Sequence, residues 1–293
     1  MVAIARAREI GMANVVNTNE QEFWSGPSGQ SWVTYEAAQD EVLSEALGAV
    51  MDRVGLSAGD RAIDIGCGTG ALSVAAARAV GDTGRLLATD ISSPMLDRAK
   101  ERLREFPQAG TLLADAESVD WPETGFDAAI SRFGVMFFGN PPQAFANIAR
   151  ALKPGGRMVF AAWGPAAKNP YWRDPPRIAR ERVGSPPRVS PNTPGPMGMA
   201  DKDCSLEWLR AAGLSDIACE EVKVGLPLKG TPEDAANQTL VIGPAARVIK
   251  MFETTEDDLA AIRDGIAREL SQYHDGDTVR IPALLYLYTA TVG

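Results

Sequence analysis

The sequence predicts an α/β protein organised around a doubly wound, mostly parallel sheet. Two observations carry that expectation. From residue 60 onward, short apolar runs of strand length alternate with stretches of helical period, as in successive βαβ units. Three of these runs contain or end on an acid, Asp64, Asp90 and Asp115. The first is followed by Gly66, Gly68 and Gly70 ahead of an alanine-rich helix. The 293 residues have room for one large α/β domain with additions. We divide the chain into a helical lead or lid over 1–58, a ligand-binding core over 59–164 and a proline-rich lid or linker over 165–200. Residues 201–293 complete the sheet and carry a helical insertion at about 227–280.

The lead is aromatic. Phe23, Trp24, Trp32 and Tyr35 flank a Ser/Gly/Pro turn at 25–29, and they either seal the domain edge or close over a ligand. Val42, Leu43, Ala46, Leu47, Val50 and Met51 recur at helical spacing, so 36–54 is expected to form one amphipathic helix. Strand one then runs into the glycine loop. Glycines accept positive φ and let a ligand approach the main chain, and the helix that follows over Leu72–Ala79 starts with free N–H groups. Two nucleotide-type patterns fit. Gly66, Gly68 and Ala71 match G-x-G-x-x-G/A, with Asp90 as a ribose acid about 20 residues on, the dinucleotide arrangement. Asp64, Gly66, Gly68 and Gly70 match acidic-x-Gly-x-Gly-x-Gly, which suits a cationic ligand without a pyrophosphate.

Arg85–Asp90 reads as strand two, and Ser92-Ser93-Pro94 starts a helix reaching Leu103. An acid at that strand end can accept both ribose hydroxyls of an adenosine; more plainly, it only starts the helix. Leu112–Ala116 reads as strand three, with Asp115 at its end or as a simple loop acid. Phe126–Ser131 is strand four. Ligands of open parallel sheets bind beyond the carboxyl ends of the strands at the switch point, which puts Ser131, Arg132 and Phe133 beside the ligand. Pro142–Leu152 is helical, and Leu152-Lys153-Pro154-Gly155-Gly156-Arg157 turns into strand five, Met158–Trp163. Ser205–Ala212 is a helix stopped by Gly213, and Ile217–Leu226 is strand six. Pro232–Ile242 and Thr255–Tyr273 are helical, and Ile281–Val292 is the last strand.

The order and spacing of Asp64, the glycine loop, Asp90, Asp115 and the Lys153–Gly156 turn resemble the class I S-adenosylmethionine-dependent methyltransferases. The resemblance is to the small-molecule branch that includes quinone-biosynthesis enzymes, and it covers residues 60–165. Dehydrogenases do not share the Leu-Lys-Pro-Gly-Gly turn. The resemblance implies a Rossmann-like methyltransferase fold of seven strands, the last antiparallel, with helical cap insertions. It implies S-adenosylmethionine as donor and S-adenosylhomocysteine as product. Asp64 with Gly66, Cys67, Gly68 and Gly70 would take the methionine part, and Asp90 with Ile91 and Met95 the ribose. Asp115 and the N–H of Ala116 would bracket the adenine, with Ser131 and Arg132 beside the donor. The acceptor would be a small molecule attacked in line through oxygen, carbon, sulfur or nitrogen. The alternative is a binding protein for the donor or its product, a regulator or scaffold without transfer.

Three variable pieces converge over the donor in that fold: the lead, the proline-rich segment and the insertion. Arg132 and Phe133 would wall the acceptor, with Trp24, Tyr35, Trp163 and Tyr171 as pocket or lid aromatics. The prolines forbid continuous helix over 164–200 outside a short piece, Asp174–Val183. Arg173, Arg177, Arg180, Arg182 and Arg188 on this segment either recognise an anionic acceptor or lie on a solvated linker, the reading we favour. A hydroxyl acceptor would need a base. His274, the only histidine, is one candidate and Tyr35 another, a solvent-facing turn being the plainer account of His274. No carboxylate cluster beyond Asp115 and Asp120 suggests a metal. A net charge of −9 opposes general affinity for nucleic acid. Cys67, Cys204 and Cys219 form no disulfide framework, so a reducing cytoplasm is expected. Met1–Met12 lacks a continuous apolar signal-peptide core, and no run approaches membrane-spanning length. A homo-oligomer is compatible with all of this.

Overall fold

The computed structural model describes residues 16–187 and 192–293. The lead forms helices α1 (Thr18–Ser25), α2 (Pro27–Thr34), α3 (Glu36–Val42) and α4 (Ser44–Val54). The core alternates β1 (Arg61–Ile65), α5 (Ala71–Val80), β2 (Arg85–Asp90), α6 (Ser93–Arg102), β3 (Ala109–Leu113), β4 (Phe126–Arg132), α7 (Pro141–Ala151) and β5 (Leu152–Trp163). Then come α8 (Pro170–Val183), α9 (Lys202–Ala211) and β6 (Leu214–Lys229). The insertion α10 (Pro232–Val241), α11 (Pro244–Ile249) and α12 (Glu256–Leu270) leads to β7 (His274–Asp275) and β8 (Thr278–Val292).

The strand order is β3-β2-β1-β4-β5-β8-β6, with β7 beside β8. The strands from β3 to β5 pair in parallel, and β8 runs antiparallel between β5 and β6. The predicted mostly parallel sheet with an antiparallel last strand is therefore what the chain forms. Ala62, Ile63, Leu86, Ala128 and Ile130 are all buried, as expected of strands covered by helices on both faces. Local signals hold the helices. Ser92 caps α6 by accepting from the Met95 N–H at 3.4 Å, and Thr231–Asp234 and Thr255–Asp258 form capping boxes on α10 and α12.

The order of strands reverses between β1 and β4, and there the loops after these strands touch backbone to backbone. A Cβ on Gly134 would lie 2.7 Å from the Ile65 carbonyl oxygen, and one on Gly66 would lie 2.7 Å from Gly134 Cα. Phe133, just before, holds φ at 69°. A left-handed non-glycine residue costs about 1–2 kcal/mol. Its N–H donates to the Ala161 carbonyl at 3.0 Å, and its ring stacks on Trp163 with centroids 4.5 Å apart, which together offset that cost.

Several expectations need correction. The helix over 36–54 is two helices, breaking at Leu43, whose carbonyl accepts from Arg132 Nη1 at 3.2 Å. The third strand lies at Ala109–Leu113, three residues earlier than expected at its start. Its register against Leu86–Asp90 leaves Asp115 in the loop beyond. The Lys153–Gly156 turn is absorbed into β5 as an irregularity at Gly155, φ 73°. The turn at 25–29 is helical on both sides, and Gly29 packs so closely that a Cβ would overlap the Trp24 carbonyl.

The predicted irregular stretch after 164 contains a helix longer than expected, α8, which starts at Pro170 instead of Asp174. Pro170 sits at its first turn, where a missing N–H costs nothing, and Pro175 and Pro176 are buried within it. Asn169 fixes where that helix starts. Its side chain donates to the Gly164 and Leu284 carbonyls at 3.1 Å and accepts from Leu284 N–H at 2.8 Å, tying the end of β5 to β8. The expectations for Met1–Met12, Arg188 and Pro191 lie outside the described residues. Among the described residues no helix is long and apolar enough to cross a membrane.

The close approach at the switch point yields a direct expectation. Gly134→Ala should lower unfolding stability by about 2 kcal/mol, the usual cost of overpacking a rigid site. Urea denaturation measures it, and an unchanged midpoint would refute the backbone contact.

Candidate active site

A cavity of about 480 Å3 opens beyond the carboxyl ends of β1, β2 and β4. Its floor is the glycine loop. Gly66, Gly68 and Gly70 all have positive φ, from 57° to 88°. The loop is anchored to β2, since Cys67 N–H donates to the Thr89 carbonyl at 2.9 Å and Thr89 Oγ1 to the Asp64 carbonyl at 3.1 Å.

The predicted acids stand along this floor. Asp64 is fully buried. Ser73 Oγ donates to its Oδ2 at 2.6 Å, and its Oδ1 has no partner. Burial pushes its carboxyl up to about 7, against the Ser73 bond and the nearby Arg132 charge, which pull it down. Asp90 accepts from Gly68 N–H at 2.7 Å on Oδ2 and from Ser92 N–H at 2.8 Å on Oδ1, with burial raising its carboxyl. Asp115 accepts from Val16 and Asn17 N–H on Oδ2 at 3.1 and 3.0 Å, and from Glu117 N–H on Oδ1 at 3.0 Å.

Ile91, Met95 and Ala116 line the same space, as does Cys67, whose thiol burial keeps protonated. Arg132 lines it too, but its guanidinium also braces Leu43 and lies 3.9 Å from Asp40. On the acceptor side Phe133, Trp163, Tyr171 and Trp24 all reach the cavity.

Four predicted residues do not. Ser131 is turned into the sheet edge, where its hydroxyl donates to the Ile65 carbonyl at 2.7 Å and accepts from Gly134 N–H at 3.2 Å; its role is to hold the switch-point loops. Gly70 faces α6, where a Cβ would sit 3.0 Å from Ala99 Cβ, so it permits helix packing. Tyr35 is exposed between α2 and α3. His274 is exposed in the β7–β8 hairpin, paired across from Val279, because β8 carries that hairpin out along the arm it makes with β6. Neither can act as a base on a ligand in the cavity. Three arginines of the proline-rich segment are half-exposed and engaged with carboxylates. Arg173 pairs with Asp174, Arg177 with Glu181, and Arg182 with Asp258.

Sequence reasoning missed Asn17, Glu20, Trp172, Arg247 and Lys250, which also line the cavity. Asn17 bonds the Phe137 carbonyl at 2.8 Å, fastening the lead over the adenine-side acid. The signal for Arg247 and Lys250 was present. Gly243-Pro244 opens a short helix, and 243, 246, 247, 250 and 251 repeat on one helical face. Among the described residues no group of metal-ligating side chains is found.

A family model described as "Methyltransferase domain" matches residues 63–160. The chain is 33% identical over 135 residues to a ubiquinone/menaquinone biosynthesis C-methyltransferase UbiE of Pseudomonas putida, covering 42% of this chain and 53% of that protein. It thus spans about half the length of that relative. To the protein of the same name from Ectopseudomonas oleovorans it is 34% identical over 133 residues, covering 41% of this chain and 78% of the relative. Among solved structures, a Haemonchus contortus phosphoethanolamine N-methyltransferase 2 in complex with S-adenosyl-L-methionine superposes with a TM-score of 0.54 at 19% identity. That match covers 93% of this chain and 59% of the other. The chain belongs to the class I S-adenosylmethionine-dependent methyltransferases.

The raised Asp64 carboxyl sets a pH expectation. Its folded value is about 7 against an ordinary 3.8, so the folded state holds the proton more tightly. Its contribution to stability is complete at low pH and is lost as pH rises through about 7. Relative to an Asp64→Asn variant, the native chain should lose on the order of 1 kcal/mol or more of unfolding free energy between about pH 5 and about pH 8. A difference between the two proteins that stays constant across that range would refute it.

Proposed function

We propose that this chain binds S-adenosylmethionine along the edge formed by Asp64, Asp90 and Asp115 and moves its methyl group to a small-molecule acceptor held in the adjoining aromatic pocket. One observation carries the reading: three buried acids stand in order beside a left-handed glycine loop, and the innermost keeps an unpartnered oxygen. A cationic amino group satisfies Asp64 Oδ1, and the Asp90 oxygens, pinned by backbone amides, keep lone pairs for the ribose hydroxyls. Asp115 and Ala116 meet the adenine. When bound, the donor supplies an electrophilic methyl on a positively charged sulfur.

The chain's own part is positioning and water exclusion. Phe133, Trp163 and Trp172 form a continuous aromatic wall, 4.5 and 5.6 Å between successive centroids. It would hold an acceptor at near-attack distance in a dry site. The base expected of His274 or Tyr35 is not at the cavity, and burial keeps the Tyr171 hydroxyl protonated. The acceptor therefore brings its own nucleophile. The C-methyltransferase name of the UbiE relatives supports an acceptor carbon activated by the substrate's own electronics. The overall charge of −9 disfavours a nucleic-acid acceptor.

Calorimetric titration tests the donor site. S-Adenosylmethionine and S-adenosylhomocysteine should bind, and NAD should not; binding of NAD alone would overturn the reading. Asp90→Ala should weaken S-adenosylhomocysteine binding by about 2 kcal/mol, roughly thirtyfold, as a lost charged hydrogen-bond partner does. Normal affinity in that variant would remove Asp90 from the ribose.

A further inference from the structure

We infer that the acceptor is a flat, apolar molecule carrying an anionic group, its ring against the Phe133–Trp163–Trp172 wall and its charge met by Arg247 and Lys250. The inference rests on the proposed donor site and extends it to the other half of the same cavity.

The two halves of the cavity differ in charge. Asp64, Asp90 and Asp115 lie on the donor side, where buried Arg132 is spent on Leu43, Asp40 and Asp64. The insertion supplies the opposite sign. Arg247 in α11 and Lys250 at its C-terminal end stand three residues apart on the face that lines the cavity, together with Gly243, Ala246 and Met251. Neither cation has an ion pair or a hydrogen bond to a protein group among the described residues, whereas Arg173, Arg177 and Arg182 of the neighbouring α8 are paired with carboxylates. The Arg247 guanidinium instead lies over the Phe23 ring, 5.9 Å from its centroid. Among the described residues the acid facing it is Glu20, which is half-buried, bonded to Trp24 Nε1 at 3.2 Å and raised by burial. Two cations against one acid leave this rim positive on a protein whose net charge is −9.

The same cavity is lined by the aromatic wall. Phe133 and Trp163 stack at an interplanar angle of 7°, and Trp172 meets Trp163 edge-on. A wall of this kind offers apolar surface on which a planar ring packs better than a branched or polyhydroxylated chain. Tyr171 adds one neutral donor. Its hydroxyl is close to Gly243, where a Cβ would come within 2.4 Å of the phenol oxygen at φ 125°, so the glycine keeps that space open. The hydroxyl can donate to an oxygen on the ring. Flat, oxygenated and acidic is the substrate class these contacts select.

The test uses 2-naphthoate and its neutral counterpart 2-naphthalenemethanol as probes. Each is titrated into the full chain saturated with S-adenosylhomocysteine and read by quenching of the cavity tryptophans. The naphthoate should bind about fivefold more tightly, the effect of two partly exposed charge contacts. The preference should shrink with added salt and vanish in the Arg247→Ala/Lys250→Ala double variant. That variant must still bind S-adenosylhomocysteine as the native chain does, which confirms that it is folded. Equal affinity or no binding of the two probes, or a preference that survives in the double variant, overturns the inference. Failure of S-adenosylhomocysteine itself to bind would instead overturn the donor-site reading on which it rests.

Discussion

The contact on which the site depends is the backbone-to-backbone meeting of Gly66 and Gly134 at the switch point of the sheet. It joins the loop after β1 to the loop after β4 with no side chain between them. From one side of that contact the chain runs into the glycine loop and α5. From the other it runs through the strained Phe133 and the turn toward α7. Ser131 fastens both, bonding the Ile65 carbonyl and the Gly134 amide at once. Any larger residue at either glycine would push the donor floor away from the acceptor wall. Transfer between two bound molecules tolerates little such separation.

The electrostatic design follows from burial. The sheet gathers carboxylates at one edge, and each is held by a different means: a serine hydroxyl on Asp64, the loop and helix-start amides on Asp90, the lead's amides on Asp115. Burial without full pairing raises Asp64 and Asp90, so their charged forms are held back and would be favoured by a cationic, hydroxyl-rich ligand. The rest of the cavity is built from aromatic surface and from the insertion, whose α11 turns one face inward.

The core was legible because its elements announce themselves locally. Arg85–Asp90 was bounded to the residue by apolar run and acid, and Pro94 marks a helix start by local chemistry. The positions of Asp64, Asp90 and Asp115 at the cavity followed because strand ends and loop glycines are fixed by that same local order. The acceptor half resisted reading for a physical reason. Buried Asn169 decides where α8 begins by bonding Leu284, 115 residues away, and no local pattern encodes such a partner. The prolines of α8 argued for irregular chain, and burial of Pro175 and Pro176 against the fold outweighed the amide donors they lack. His274 attracted attention by chemistry alone, and the β6–β8 arm that carries it off the cavity is a matter of topology.

The fastening of Asp115 by Val16 and Asn17 reaches beyond the site itself. Residues nearly a hundred positions upstream supply two of the three amides on that carboxylate, and Asn17 also clasps the Phe137 carbonyl. Val16 and Asn17 thus act as a clasp on the Asp115 end of the cavity. For anyone expressing this protein, an affinity tag spliced close to residue 16 would burden the clasp, whereas one at the far end, beyond β8, would leave it alone.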